Sequence, residues 1–125
     1  MVKKNKVLLT EDDLSLLKIY SNKLRISGFE VSMATTGDEC LRKAQIEKPN
    51  VILLDLIMPG KDGFLVLEEL KANEQTKKIP VVILSNLGQE ADIKRGKELG
   101  AIDYLIKSDV SLMDLVTKVR KYTST

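Results

Sequence analysis

Residues 51–63 read VILLDLIMPGKDG. Four branched apolar residues run into Asp55, three more apolar residues follow it, and a Pro-Gly turn ends the stretch. Such a segment is built for the interior, where an unpaired carboxylate costs on the order of several kcal/mol. Asp55 must therefore reach solvent, lose its charge, or meet a cation.

The neighbouring sequence narrows the choice. NVILLD (50–55) is one of five short apolar runs, with KVLLT (6–10), FEVSMAT (29–35), IPVVILS (79–85) and AIDYLIK (101–107). Most are unbroken rather than alternating, as strands covered on both faces should be. Segments of helical period separate them. Leu14, Leu17, Ser21 and Leu24 share one face of a first helix, and Leu112, Leu115, Val116 and Val119 one face of a last. Residues 37–48, 64–74 and about 90–99 fit three more. The helix at 90–99 is the weakest, since Gly96 costs about 1 kcal/mol against alanine and its apolar face is thin. Five strands alternating with five helices predict an α/β fold with a parallel sheet and right-handed crossovers.

Size and composition fit one domain over residues 1–125, with no effector domain expected in this chain. Hydrophobic residues make up 43% and charged residues 30%, the balance of a globular protein. No apolar run nears the ~20 residues that cross a bilayer, which argues against a membrane. The net charge of +2 and scattered lysines without interleaved aromatics argue against nucleic acid. The single Cys40 cannot form an internal disulfide, so a cytoplasmic setting is expected, with Cys40 a small packed residue. With no histidine, chemistry falls to carboxylates, hydroxyls and amines.

Four runs end in such groups: Glu11-Asp12-Asp13, Asp55, Ser85-Asn86 and Lys107-Ser108. In a parallel sheet all carboxyl ends share one edge, so these residues converge there. Clustered carboxylates repel unless one takes a proton or a divalent cation neutralises them. A few hard oxygen ligands suit Mg²⁺, and Lys107 adds a second positive charge and Ser85 a hydroxyl. Together they would cradle a phosphoryl group, with Asp55 able to attack phosphorus. Asp13 is expected to cap the first helix, and Asp62-Gly63 to be a turn before another.

The acidic EDD after the first strand, DLIMPGKDG after the third, the serine ending the fourth and the lysine ending the fifth resemble the receiver domain of two-component response regulators. The resemblance covers essentially the whole chain, and the four motifs in this order are far more specific together than singly. It implies a flavodoxin-like, doubly wound five-stranded sheet of order 2-1-3-4-5 with five helices. In that order the winding of the chain reverses between strands 1 and 3, which are still parallel, a general property of the fold rather than a reading of this sequence. It implies Asp55 as phosphoacceptor, with Mg²⁺ bound by Asp12 and Asp55, by Glu11 through water, and by the backbone carbonyl of Ile57. Ser85 and Lys107 would bind the phosphoryl group, and Tyr104 would change rotamer with Ser85. The family usually carries proline after the lysine, where this chain has Ser108, and more often threonine at 85.

The function so implied is a phosphorylation switch rather than an enzyme, assisting transfer onto its own Asp55. A histidine kinase or phosphotransfer protein would donate, and a downstream protein would read the surface of the fourth helix, fifth strand and fifth helix. Ile57 and Leu87 would flank the phosphoryl group without positioning water, which favours a long-lived phosphate. The alternative is a receiver-like interaction module that is never phosphorylated. Two rivals fit worse. A haloacid dehalogenase-type phosphohydrolase needs an acid where Ile57 stands, and a flavin binder needs a phosphate loop where TEDD would repel it. A half-exposed strand aromatic is the plainer reading of Tyr104, and Met33, Met58 and Met113 read as packing residues.

Overall fold

The computed structural model describes residues 3–124. Its elements alternate: β1 Lys6–Thr10, α1 Leu14–Ile26, β2 Glu30–Ala34, α2 Gly37–Glu47, β3 Val51–Leu54, α3 Gly63–Ala72, β4 Val81–Ser85, α4 Glu90–Glu98, β5 Asp103–Ile106 and α5 Leu112–Thr123. All strand pairs are parallel, in the order β2-β1-β3-β4-β5, as the resemblance implies. Each strand is a residue or more shorter than its apolar run, except β1.

Side chains alternate across the sheet and divide the core. Val7, Leu9, Val51, Leu53, Val82, Leu84 and Leu105 face α1 and α5. Leu8, Ile52, Leu54, Val81, Ile83 and Tyr104 face α2 and α3, with Ile93 and Leu99 at the margin bringing in α4. The central strands β3 and β4 are buried throughout, which is why their sequences run apolar without a break. Cys40 of α2 is fully buried in this second layer.

Three residues read as core lie outside it. Leu14 is 72% exposed, Leu112 37% and Met113 72%. Leu14 and Leu112 open their helices, and Met113 follows directly. The helical period therefore continues one step beyond the sheet these helices cover. Caps fix where the helices begin. The Asp13 carboxylate accepts from the Ser15 and Leu16 amides at 2.9 and 3.1 Å, and Asp62 accepts from the Phe64 amide at 2.9 Å. Asp13 has its expected role, whereas Asp62, expected as a turn residue before a helix, is itself the cap of α3.

Gly63 explains the turn after β3. A Cβ there would stand 2.4 Å from the Leu56 Cα, so the chain folds back on itself only where no side chain intervenes. Lys61 ties the same loop to two helices, 3.2 Å from Asp38 and 2.8 Å from Glu69. No helix of the described residues is long and apolar enough to cross a membrane.

Candidate functional site

β1 and β3 are adjacent, and Thr10 and Leu54 are register partners. The next residue of each strand, Glu11 and Asp55, thus leaves the sheet at the same point. The Glu11 amide donates to Ala34 O at 2.9 Å and the Asp55 amide to Thr10 O at 3.1 Å, so the ladder aims both side chains. Both residues are nearly inaccessible, 2% and 4% exposed, while Asp12 beside them is open to solvent. One oxygen from each of Glu11, Asp12 and Asp55 lies within 4.8 Å of the others.

The cation that Asp55 requires is Lys107, the residue after β5. Its Nζ lies 2.8 Å from Asp55 Oδ2 and also meets Glu11 Oε1. Asp55 Oδ1 accepts from the Ile57 amide at 3.2 Å, and Glu11 Oε2 from the Asp13 amide at 3.1 Å. Burial pushes the Glu11 carboxyl pKa up, the Lys107 ammonium and the Asp13 amide pull it down, and Asp55 adds to the rise; the net shift is upward. Burial alone would lower the Lys107 pKa, but its two carboxylate partners outweigh it and raise it.

One ammonium among three carboxylates leaves negative charge uncompensated at the rim. Carboxylate oxygens with one solvent-facing member are the donor set that a small hard divalent cation takes, with waters completing its shell. The residues present therefore fit Mg²⁺.

Ser85, at the end of β4, is fully buried, and its Oγ accepts from the Leu87 amide at 3.3 Å. It makes no hydrogen bond to the acids among the described residues. Tyr104 is 8% exposed, which overturns the half-exposed reading: the ring lies between the sheet and α4, and its hydroxyl donates to Leu87 O. Burial first, then the negative Asp92 and Asp55, push that hydroxyl up to about 12. Gly96 is what lets α4 sit on the ring, since a Cβ there would lie 3.1 Å from Tyr104 Cδ2 and 2.6 Å from Ile83 Cδ1. The Ile57 side chain is 54% exposed at the mouth of the site.

Sequence reasoning missed one contact. The Ser108 amide donates to Asn86 Oδ1 at 3.1 Å. The signal was available, because serine in place of proline leaves an N–H that needs a partner. No described peptide bond is cis, so Lys107–Ser108 is trans.

Known proteins resemble this chain in sequence and fold. Transcriptional regulatory protein PrrA of Mycobacterium leprae is 42% identical over 115 residues, which cover 92% of this chain and 48% of PrrA. The chain thus spans about half the length of that curated relative. The receiver domain of the Francisella response regulator 1452 superposes with a TM-score of 0.89 at 30% identity, covering 96% of this chain and 97% of that one. The BeF3-activated N-terminal receiver domain of Klebsiella pneumoniae RstA gives 0.88 at 28% identity, covering 97% and 100%. Residues 7–120 match the family described as the response regulator receiver domain, and the chain belongs to that family.

Proposed function

We propose that this domain is a phosphorylation-dependent switch of a two-component system, with Asp55 as phosphoacceptor. The observation that carries the reading is the Asp55 carboxylate, set among Glu11 and Asp12 and held by the Lys107 ammonium at 2.8 Å. A carboxylate in such company is fixed in place beside a cation.

A histidine kinase or phosphotransfer protein would present a phosphohistidine. An Asp55 carboxylate oxygen attacks phosphorus as the P–N bond breaks, and the imidazole leaves and takes up a proton. Glu11, Asp12, Asp55 and the Ile57 carbonyl would hold Mg²⁺, whose charge offsets that of the phosphoryl oxygens and the acids. Lys107 supplies positive charge from the opposite side, and its contact with Glu11 loosens as it turns toward the phosphoryl group. Ser85 exchanges its bond from the Leu87 amide for a bond to a phosphoryl oxygen. That movement disturbs the loop holding the Tyr104 hydroxyl, and through Gly96 reaches α4. Output then runs through a downstream protein that reads the α4–β5–α5 surface.

The RstA receiver is described as BeF3-activated, which supports the same chemistry here. Incubation with Mg²⁺ and acetyl phosphate is expected to add one phosphoryl group by mass spectrometry, and Asp55→Asn to abolish the adduct. Asp12→Ala is expected to weaken Mg²⁺ binding at least tenfold, on the order of one lost charged ligand. A wild type that takes no phosphoryl group would instead make this an interaction module.

A further inference from the structure

β4 and β5 leave the sheet side by side, and a side chain ties their exits where main chain no longer can. The Lys107 amide donates to Ser85 O at 3.0 Å, the last backbone rung between the two. One residue on, the Ser108 amide donates to Asn86 Oδ1 at 3.1 Å. The Asn86 side chain therefore extends the ladder by one rung and fixes the backbone on both sides of the Lys107 Cα. The bond needs an N–H at position 108, which serine has and proline lacks. The same short stretch is held at a third point, where the Tyr104 hydroxyl meets Leu87 O.

Lys107 has a long, flexible stem, and its ammonium must still reach Glu11 and Asp55. A flexible side chain finds one place reliably only from a fixed backbone. We infer that Asn86 is a positioning residue, which by holding the Ser108 amide fixes the point from which Lys107 reaches the Asp55 carboxylate. Asn86 is exposed, and among the described residues its side chain hydrogen-bonds the Ser108 amide and neither the acids nor the ammonium, so it acts through the chain. It also joins the loop that carries Ser85 to the loop that carries Lys107. The two groups assigned to the phosphoryl oxygens are thereby held to a common frame. The catalytic consequence rests on the phosphoacceptor reading.

Two measurements test it. In the unphosphorylated protein, Asn86→Ala is expected to speed hydrogen exchange at the Ser108 amide about tenfold, the scale of one lost hydrogen bond. Asn86→Asp keeps an acceptor oxygen in place and is expected to restore protection. With acetyl phosphate at saturating Mg²⁺, Asn86→Ala is expected to lower the maximal phosphorylation rate about fivefold. The donor concentration at half-maximal rate and the Mg²⁺ affinity should stay within about twofold, and Asn86→Asp should recover the rate. Ser108→Pro removes the same donor, so adding Asn86→Ala to it should slow the reaction no further.

Unchanged exchange at Ser108, an unchanged rate, a rate loss matched by an equal loss of Mg²⁺ affinity, or multiplying effects in the double variant would each overturn the role of Asn86. A wild type that accepts no phosphoryl group sinks the phosphoacceptor reading instead. The exchange measurement separates that failure from this one.

Discussion

α4 and α5 pack against opposite faces of the same end of the sheet, and they are held in opposite ways. α5 opens with a capping box between Ser111 and Asp114 and buries Leu115, Val116 and Val119. Its far end is moored by the Tyr122 hydroxyl, 2.6 Å from Asp103 Oδ2, and by Lys118, 3.4 Å from the same oxygen. Arg120 adds a bond to Ser27 O at 2.8 Å. α4 has no side-chain cap, and its one buried residue is Gly96. Beyond half-buried Ile93 it has the Arg95 guanidinium, 4.2 Å above the Phe64 ring, and the close fit of Gly96 on Tyr104. One helix is bolted to the frame and the other rests on a side chain. The switch proposed above would need both, since a moving part registers only against a fixed one.

Core truncation should separate them most. Leu115→Ala is expected to cost about 2–5 kcal/mol in urea unfolding, and Ile93→Ala, half-buried, under about 2 kcal/mol. Equal losses would end the contrast. Gly96→Ala comes next. On an unobstructed helix it would gain about 1 kcal/mol, but here the new methyl meets Ile83 and the Tyr104 ring, and a net loss of about 1–2 kcal/mol is expected. A stabilised Gly96→Ala would show that α4 does not bear on the ring as described. The caps give smaller effects. Ser111→Ala is expected to lose about 1 kcal/mol, whereas Gln89→Ser, which offers α4 the cap it lacks, is expected to gain several tenths, roughly.

The smallest effect depends on pH. Burial raises the Asp103 carboxyl pKa, but the Tyr122 hydroxyl, the Tyr104 amide and Lys118 outweigh it, leaving it below the ordinary 3.8. A depressed carboxyl pKa contributes stability that is present above the unfolded value and lost as pH falls through the folded one. Tyr122→Phe is therefore expected to destabilise the protein at neutral pH and to converge with wild type in acid. A gap constant with pH would remove Asp103 from the mooring.

The β3 run, the carboxylate interrupting it and the polar residue closing each strand were legible because burial and alternation are local properties of sequence. They sufficed to place Glu11, Asp12, Asp55 and Lys107 on one edge. What the sequence could not carry was contact between distant residues. Gly96 read as a cost to its helix, although it is the space in which Tyr104 fits. Tyr104 itself admitted an exposed reading until α4 was seen to cover it. Leu14 and Leu112 followed the helical period correctly but lie past the end of the surface their helices cover, and periodicity says nothing of where a partner surface stops; Met113 read as a packing residue from its type alone. The N–H at Ser108 signalled that a partner was needed, but not that the partner is Asn86, 22 residues away.

Cys40 has a practical consequence. It is fully enclosed, and burial pushes its thiol pKa up to about 11. At neutral pH almost no thiolate forms, and electrophiles have no path to it. A cysteine introduced at an exposed site such as Lys94 would then be the single group to take a fluorescent or spin label. This 125-residue chain is thus suited to site-specific tagging, its one native thiol being buried.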